Sequence, residues 1–234
     1  MKLSILIPVY NETATIEAVV RSCLAQAVPG IARREVVVVD DGSTDTTARV
    51  LTALAPEFPA ELVLLRHPRN RGKGAAVRSA LAKVTGDAVI IQDADLEYSP
   101  ADYPLMLEPI IAGRADVVYG SRFSGQQAKR VLYFWHYAGN RLLTLFSNIL
   151  TNLNLTDMET GFKAFRADVI KNIPIKSERF GFEPEITAKA ARRHCRMYEV
   201  GISYNGRTYA QGKKITWVDG VKAVFSIIRY AIAA

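Results

Sequence analysis

The amino-acid sequence predicts an α/β protein: a single domain with a mostly parallel central sheet, helices on both faces, and an amphipathic helix at the C-terminus. Two observations support this prediction. Through residue 120, short apolar runs with the length of buried strands alternate with segments of helical spacing. No Gly/Ser-rich or Pro-rich linker divides the 234 residues, a length that can bury a substantial core.

The strands are predicted from compact apolar runs. Residues 3–9 form the first, and Pro8 is expected to end it. Residues 36–39 form the second, because four consecutive valines are too short and too β-branched for a helix. Three further strands follow, at 61–66, 88–92 and 117–120.

The helices are predicted from apolar spacing and from start signals. The second is expected to begin near Asp45, with Ser43 or Thr44 as its cap. Ser99 and Pro100 begin the fourth, because proline is favoured at the first helical position. The other predicted helices lie at 13–27, 74–84, 137–152, 183–194 and 217–232.

This order of elements predicts where a ligand binds. Sheets of this type bind ligands beyond the carboxyl ends of their strands. The loops at 8–12, 40–45 and 92–98 are therefore expected to converge on one crevice.

The charge is unevenly distributed. Residues 1–112 contain 11 Lys/Arg and 14 Asp/Glu, whereas residues 113–234 contain 19 and 9, a net charge of +10. This excess indicates an anionic partner for the second half, such as a phosphate, a nucleic acid or an acidic membrane surface, unless it is simply a solvated basic face. Because no recognition-helix or single-strand motif accompanies it, we expect no nucleic-acid partner.

The cysteines and the apolar runs bear on the cellular compartment. Cys23 and Cys195 lack metal-ligand spacing, so we expect two buried reduced thiols, which fits the cytoplasm. Pro8 and Asn11 interrupt the N-terminal apolar run, so we expect no signal peptide. No uninterrupted apolar stretch approaches the ~18 residues of a membrane span.

An acidic turn follows the fourth predicted strand. Asp93 and Asp95 are two residues apart at the strand end and can face one crevice, and Glu97 can add a third carboxylate. Hard divalent cations prefer oxygen ligands and bridge diphosphate oxygens. The turn therefore predicts a metal site, with an acidic cap of the helix at Pro100 as the alternative.

A second acidic turn, at 40–45, follows the second predicted strand. Its three carboxylates, Asp40, Asp41 and Asp45, repel a bare phosphate, but they can accept hydrogen bonds from a base or from ribose hydroxyls. Gly72-Lys73-Gly74 is not a dinucleotide fingerprint, because it lacks the third glycine and follows the third strand rather than the first.

Four segments, in this order, resemble family 2 glycosyltransferases of the GT-A (Rossmann-like) fold: SILIPVYNE at 4–12, VDDGSTD at 39–45, NRGKG at 70–74 and DAD at 93–95. Three later segments resemble the branch of dolichyl-phosphate mannose synthases and polyprenyl-phosphate glucosyltransferases: YGSRF at 119–123, DMETGFK at 157–163 and GFEPE at 181–185. The resemblance covers residues 3–215.

The resemblance implies roles for individual residues. Those expected to bind the nucleotide sugar are Pro8, Tyr10, Glu12, Asp40, Lys73 and Asp93. Asp93, Asp95 and Glu97 are expected to hold Mg²⁺ or Mn²⁺, although many relatives have Gln in place of Glu97. Asp95 and Asp157 are expected to be catalytic, and Arg122 and Arg141 to bind an acceptor phosphate.

The implied reaction is an inverting transfer of a hexose from a donor of the GDP-mannose or UDP-glucose type to a polyprenyl or dolichyl phosphate. Such a nucleophile is already an anion, so it needs positioning by Arg or Lys more than it needs a general base. The basic second half offers Arg122, Lys129, Arg130, Arg141, Arg207, Lys213 and Lys214.

The implied domain organisation is a GT-A domain at 1–215, with a nucleotide-sugar-binding half at 1–120 and an acceptor-binding half at 121–215. An amphipathic helix follows at 216–234. Residues 129–137 and 217–232 combine apolar and basic side chains, as interfacial elements do, although a helix packed on the core would look similar. We expect a peripheral protein at the inner face of the membrane.

Two alternatives remain open at this point. One is a saccharide acceptor, whose hydroxyl needs a base such as Asp157, Glu159 or Glu185. The other is a nucleotide-sugar-binding module without turnover, against which the intact acids at 93, 95 and 157 argue. The sugar, the base, the lipid length and the oligomeric state stay undetermined.

Overall fold

One seven-stranded sheet organises the protein. The computed structural model describes residues 1–125, 128–131, 133–179, 181–208 and 217–233, with side chains from 219 to 232 in the last range. Within these residues the strand order is β3-β2-β1-β4-β6-β5-β7. The strands are β1 (Lys2–Val9), β2 (Arg33–Asp40), β3 (Leu62–Arg66), β4 (Ala88–Ile91), β5 (Val117–Ser121), β6 (Lys163–Arg166) and β7 (Met197–Gly201).

Helices cover both faces of this sheet and carry its connections. They are α1 (Ile16–Ala25), α2 (Thr47–Leu54), α3 (Lys73–Leu81), α4 (Tyr103–Ile111), α5 (Phe134–Thr151), α6 (Ala167–Lys171), α7 (Phe182–Arg192) and α8 (Trp217–Ala233). One apolar cluster joins the sheet to α1 and α4, and a second joins its other face to α3 and α7. The predicted α/β class, with helices on both faces, is confirmed.

The sheet is parallel except at β6. β1 pairs in parallel with β2 and β4, whereas β6 runs antiparallel to both β4 and β5. Strands β6 and β7 and helix α6 were not predicted from the sequence. Because β6 lies between β4 and β5, the two expected halves at 1–120 and 121–215 share one sheet.

Two local predictions were wrong. Pro8 does not end β1, which continues to Val9. Pairing with β4 stops at Leu6, so the missing N–H of Pro8 removes no contact with that strand. Ser43 and Thr44 do not cap α2, which begins at Thr47.

The β1–α1 loop explains the second error. The Asn11 backbone N–H donates to Ser43 Oγ at 3.0 Å, and the Thr44 N–H donates to Asn11 Oδ1 at 2.9 Å. Asp45 Oδ1 accepts the Thr47 N–H at 2.9 Å and thereby serves the first turn of α2. The predicted start at Ser99 is confirmed: its Oγ accepts the Ala101 N–H at 3.2 Å, and a 3₁₀ turn leads into α4.

Helix α5 is polar inside and apolar outside. Its buried side chains include Thr144 and Ser147. Its exposed side chains include Trp135 (81% exposed) and Ile149 (68%), together with Leu142 and Leu145. This arrangement is the reverse of an ordinary surface helix, which turns its apolar stripe to the core.

Helix α8 packs against α5 and α7. It buries Ala223, Ile227 and Tyr230, and the Tyr230 hydroxyl lies 2.8 Å from Ser177 Oγ. A second apolar face is exposed: Val221, Val224, Phe225, Ile228 and Ile232. Among the described residues no helix has both the length and the apolar character to cross a membrane.

Both cysteines are free in the structure, as predicted. Cys23 is buried, with its sulfur 3.1 Å from the Tyr103 hydroxyl, and burial raises the pKa of its thiol to about 12. Cys195 is only partly buried, so the prediction that both thiols are buried was wrong for this residue.

Candidate active site

The three predicted loops meet at the carboxyl edge of the sheet. Asn11, after β1, is hydrogen bonded to Ser43 and Thr44 after β2. The Thr15 hydroxyl donates to the Ala94 carbonyl at 2.6 Å and ties the first loop to the turn after β4. The predicted convergence of the three loops at one edge of the sheet is confirmed.

Asp40 has a carboxylate oxygen available at the end of β2. Its Oδ1 accepts the Ser43 N–H at 2.9 Å, whereas its Oδ2 is buried and has no hydrogen-bond partner among the described residues. The Arg66 Nε lies 3.2 Å from Oδ2 as an ion pair, but it is not aligned as a hydrogen bond. A buried acceptor of this kind suits an N–H donor of a ligand.

The other two acids of this turn serve the protein backbone. Asp45 accepts the N–H groups of Thr47 and Thr13, and Asp41 accepts those of Arg71 and Gly72. Of the three carboxylates that were expected to accept hydrogen bonds from a ligand, only Asp40 therefore remains available.

Lys73 bridges two acids beneath the crevice. Its Nζ lies 2.8 Å from Asp93 Oδ1 and 3.1 Å from Glu183 Oε1. Burial lowers the pKa of this ammonium, but the two carboxylates outweigh that effect and hold the pKa above its ordinary value. Lys73 is therefore a permanently charged group beside Asp93.

Gly161 lets the loop after α5 approach this pair. A Cβ at that position would lie 2.2 Å from Asp93 Oδ2 and 2.9 Å from Lys73 Nζ. The loop is held from the other side by Tyr98, whose hydroxyl accepts the Gly161 N–H at 3.0 Å. Any side chain at 161 would push the DMETG segment away from Asp93.

Arg207 lies among three carboxylates. Its guanidinium contacts Glu12 at 3.1 Å and Asp95 at 2.9 Å, and its backbone N–H donates to Glu97 Oε1 at 2.7 Å. Tyr204 also donates to Glu97, at 2.9 Å. Arg207, predicted from the sequence as an acceptor candidate, lies instead at the predicted metal turn.

Asp95 lies in a strongly acidic environment. Burial, together with the neighbouring Asp93 and Glu97 carboxylates, raises the pKa of Asp95 to about 7, although Arg207 opposes the shift. Carboxylates crowded in this way favour a bound positive charge.

These residues fit a divalent metal by donor chemistry. The oxygens of Asp95, with those of Asp93 or Glu97, match the ligands that Mg²⁺ and Mn²⁺ prefer. Within the described residues no three acidic, His or Cys side chains converge as a complete metal cage. An ion here would complete its shell with diphosphate oxygens and water, as Mg²⁺ commonly does.

Arg122 and Asp157 form a buried ion pair next to this crevice. The Arg122 Nε and Nη2 donate to the two Asp157 oxygens, each at 2.7 Å, and the Arg122 backbone N–H donates at 3.0 Å. Asp157 has no solvent exposure and Arg122 has little. Arg122, which is expected from the resemblance to bind an acceptor phosphate, is thus anchored to Asp157 through two of its guanidinium nitrogens.

Arg141 lies close to the same pair. Its Nη1 is 3.4 Å from the Thr156 carbonyl, one residue before Asp157. Lys129 and Arg130 follow on a short segment paired with 204–206, where Arg130 donates to the Gly206 carbonyl at 3.1 Å. Lys213 and Lys214 lie outside the described residues.

Two of the three candidate bases are fully used by the protein. Asp157 is held by Arg122, and Glu185 accepts the N–H groups of Lys176 and Ser177 at 2.7 and 2.6 Å. Glu159 has a buried Oε1 without a hydrogen-bond partner among the described residues. Burial and the nearby Glu183 raise the pKa of Glu159 to about 8.

The structure also identifies residues to which sequence reasoning gave no role. Glu183 holds Lys73, and Tyr204 covers Arg122, whose guanidinium carbon lies 5.4 Å from the ring centroid. Glu183 stood inside the quoted GFEPE segment, which was a usable signal, whereas nothing local marks Tyr204. Pro8 pairs in register with Val39, and Tyr10 follows directly after β1.

The comparisons with known proteins agree with this architecture. The model of the family described as "Glycosyl transferase family 2" matches residues 4–173. A protein of Micrococcus luteus named undecaprenyl-phosphate mannosyltransferase is 32% identical, with 100% of this chain and 96% of that protein covered. The chain therefore belongs to glycosyltransferase family 2, and it is a glycosyltransferase.

Other relatives are longer. A dolichol-phosphate mannosyltransferase of Pyrococcus furiosus is 28% identical, with 92% of this chain and 61% of that protein covered. An undecaprenyl-phosphate 4-deoxy-4-formamido-L-arabinose transferase of Sodalis glossinidius is 30% identical, with 91% and 62% covered. The chain thus spans about three fifths of the length of these two relatives.

Solved structures show the same fold. Glucosyl-3-phosphoglycerate synthase from Mycobacterium tuberculosis, in complex with Mn²⁺, UDP and phosphoglyceric acid, superposes with a TM-score of 0.74 at 19% identity. The match covers 98% of this chain and 78% of that one. At this identity the likeness establishes the GT-A fold alone.

Proposed function

We propose that this glycosyltransferase transfers a hexose, with inversion, from a nucleotide sugar of the UDP-glucose or GDP-mannose type to a polyprenyl phosphate. The names of the relatives from Micrococcus luteus and Pyrococcus furiosus, which specify undecaprenyl and dolichol phosphate, support this acceptor class. The structural observation that carries the proposal is the Arg122–Asp157 pair.

This pair favours an acceptor that needs no deprotonation. An acceptor hydroxyl requires a base within hydrogen-bond reach, but Asp157 and Glu185 have their oxygens filled by protein donors. A phosphate monoester is already an anion at neutral pH and needs a cation that fixes its orientation. Arg122, anchored through two of its donors, supplies a rigid cation, and Arg141 beside Thr156 supplies a second.

The donor is assigned to the other side of the crevice. Asp40 accepts an N–H of the base through its Oδ2, which has no hydrogen-bond partner among the described residues, and Pro8, Tyr10 and Glu12 line the nucleoside. Lys73 and Asp93 lie next to the diphosphate and ribose. Arg207 is close enough to Asp95 and Glu12 to neutralise either those acids or the incoming diphosphate.

Asp95, with Asp93 or Glu97, would hold Mg²⁺ or Mn²⁺. When bound, the ion stabilises the negative charge that develops on the leaving nucleoside diphosphate. The protein's own contribution is to orient the donor and the acceptor phosphate for displacement from the face opposite the leaving group. Catalytic roles are thus proposed for Asp95 at the metal and for Asp157 through Arg122.

The exposed faces of α5 and α8 support docking on a membrane surface. The two helices pack together, and each presents large apolar side chains to solvent. Exposed apolar area of this extent marks an interaction surface, and a polyprenyl acceptor keeps its chain in the bilayer. We assign this surface, with the basic residues Lys129 and Arg130, to the inner face of the membrane.

The proposed division of labour follows from these assignments. Residues 1–120 bind the nucleotide sugar, residues 121–215 bind the acceptor, and the C-terminal segment 216–234, which contains α8, contributes to membrane docking. Because β6 joins the first two regions in one sheet, they are regions of function within a single folded unit.

A donor screen tests the proposal. Release of nucleoside diphosphate is measured for UDP- and GDP-hexoses with Mg²⁺ or Mn²⁺, with and without undecaprenyl phosphate in mixed micelles. We expect one donor whose consumption depends on the lipid phosphate. Turnover that is indifferent to the lipid phosphate but is stimulated by soluble saccharides would overturn the proposed acceptor.

One observation favours a second candidate, a saccharide acceptor. The buried Oε1 of Glu159 has no hydrogen-bond partner in the described part of the chain, so this carboxyl could accept a hydroxyl proton. Burial and the nearby Glu183 raise the pKa of this carboxyl, which favours its protonated form and disfavours that role. Glu159→Gln separates the candidates: a saccharide transferase would lose turnover, whereas transfer to a phosphate would persist.

A further inference from the structure

Asp41 and His67, both buried, form a hydrogen-bonded chain with the partly buried Ser79. The His67 Nδ1 lies 2.6 Å from Asp41 Oδ1, and the Nε2 lies 2.8 Å from Ser79 Oγ. Because an ionised carboxylate only accepts hydrogen bonds, Nδ1 carries the hydrogen and donates it to Asp41. The proposed binding of donor and acceptor uses none of these three side chains.

Asp41 also holds the backbone of the loop that precedes α3. Its oxygens accept the Arg71 N–H at 3.0 and 3.1 Å and the Gly72 N–H at 2.6 Å. These two residues immediately precede Lys73, the first residue of α3. The carboxylate therefore receives three donors, two from the loop and one from His67, and it can serve the loop only in one orientation.

The loop has little freedom to settle elsewhere. Gly72 adopts a φ of +98°, and a Cβ there would lie 2.4 Å from the Glu178 carbonyl oxygen. The ammonium of the next residue then reaches Asp93 at 2.8 Å and Glu183 at 3.1 Å. The direction in which Lys73 leaves the backbone thus depends on how Arg71 and Gly72 are held.

We propose that His67 is a positioning residue: it fixes the Asp41 carboxylate, which fixes the Arg71–Gly72 backbone and thereby sets the Lys73 ammonium between Asp93 and Glu183. Ser79, on α3 itself, holds the far side of the imidazole and ties the relay back to the helix that carries Lys73. The effect on turnover rests on the proposed function, whereas the effect on the loop does not.

Two substitutions of His67 distinguish the contribution of Nδ1 from that of Nε2. In His67→Asn the amide nitrogen takes the place of Nδ1 and can still donate to Asp41, whereas in His67→Gln the amide lies near the position of Nε2. We expect His67→Gln to lower kcat/KM for the nucleotide sugar about tenfold, the usual weight of a hydrogen bond to a charged group, and His67→Asn to lower it less. Equal losses in both variants would contradict the relay.

A double-mutant cycle tests whether the effect passes through Lys73. In a Lys73→Met background, His67→Gln should lower kcat/KM no further, since the group it positions is gone. An undiminished loss in that background would show that His67 acts elsewhere. A general loss of stability would lower the melting temperature in both backgrounds without producing this non-additivity.

Amide exchange tests the loop independently of any reaction. Hydrogen exchange of the Arg71 and Gly72 amides, followed by NMR, should accelerate in His67→Gln and stay close to the parent in His67→Asn. If the parent turns over no donor, the proposed function fails. The exchange rates, together with the same double-mutant cycle measured on the free energy of unfolding, still test whether His67 positions Lys73 through Asp41. Should His67→Gln not fold, Ser79→Ala removes only the outer hydrogen bond, and unchanged Gly72 exchange in that variant would contradict the proposal.

Discussion

The Asp157 carboxylate holds Arg122 through both of its oxygens, at 2.7 Å each, in a position from which solvent is excluded. The geometry is a planar two-pronged pair, which a lysine cannot reproduce. The same carboxylate cannot also serve as a general base. A substitution of Arg122 by lysine therefore separates the contribution of its charge from that of its two-pronged geometry.

Arg122→Lys should raise the KM for undecaprenyl phosphate roughly tenfold while leaving donor affinity intact, because the charge is kept but the forked anchor is lost. Steady-state kinetics with each substrate varied in turn measure both quantities. Equal weakening of the donor would place Arg122 on the nucleotide diphosphate instead.

Asp95→Ala should fold normally and lose turnover by on the order of 100-fold or more, because the proposed metal, and with it the stabilisation of the leaving diphosphate, would be lost. Binding of Mn²⁺ together with the nucleoside diphosphate, followed by electron paramagnetic resonance, should weaken in parallel. Asp168→Ala removes an exposed acid of α6 and serves as the matched control. Near-normal Mn²⁺ binding in Asp95→Ala would refute the metal assignment.

Asp40→Ala should raise the KM for the donor more than it lowers kcat. In the proposed function Oδ2, which has no hydrogen-bond partner among the described residues, contacts the base far from the reacting carbon, so its loss should weaken ground state and transition state alike. Calorimetric titration with the nucleoside diphosphate checks the same loss without turnover. A collapse of kcat at unchanged KM would contradict the role of Asp40.

Phe225→Asp should weaken sedimentation with anionic liposomes, because Phe225 is 70% exposed on the outer face of α8 and can enter the headgroup region. Leu105→Asp, on the exposed side of α4, is the matched control and should bind like the parent. High salt should leave part of the parent bound, since apolar insertion is not screened. Parent protein that fails to bind at low salt would count against a lipid acceptor.

The stability of the fold at acidic pH should depend on Glu35. Burial alone would raise its pKa, but donors from Lys2, Ser4 and Thr85 lower the pKa to about 2. A pKa lower in the folded than in the unfolded state stabilises the fold above about pH 4.5. This contribution, on the order of 2 kcal/mol after solvent screening, fades as the pH falls towards 2.

Urea unfolding between pH 5 and pH 2 measures this contribution. In Glu35→Gln the corresponding part of the pH dependence should disappear, whereas Glu108→Gln, at an exposed acid, should retain it. A Glu35→Gln profile that parallels the parent across this range would show that other carboxylates govern acid unfolding.

The first half of the fold could be predicted from the sequence because each element there has its own local signal. The valine run at 36–39, the proline after Ser99 and the acidic turns at strand ends are short-range features that survive in the structure. The strand β6 carries no such signal: Lys163–Arg166 is four residues long, and Lys163 is buried there beneath the Tyr119 ring. Its pairing between β4 and β5 is a long-range property.

The site followed the same division. The acids at 40, 93 and 95 could be proposed as site residues because they stand at the ends of predicted strands. The residues that bind these acids could not be predicted in this way. Arg207 reaches Asp95 across 112 positions in the chain, and Glu183 reaches Lys73 across a similar separation. The resemblance identified the segments that contain these acids, but only the folded structure shows which carboxylates Arg207 contacts.

The most direct test of the proposed reaction is the structure of its product. The protein is incubated with the donor found by the screen, Mg²⁺ and undecaprenyl phosphate, and the butanol-extracted lipid is analysed by mass spectrometry and by ³¹P and ¹H NMR. We predict one hexose linked to the lipid phosphate, with the anomeric configuration opposite to that of the donor. A retained configuration, or a hexose on any group other than the phosphate, would contradict the account.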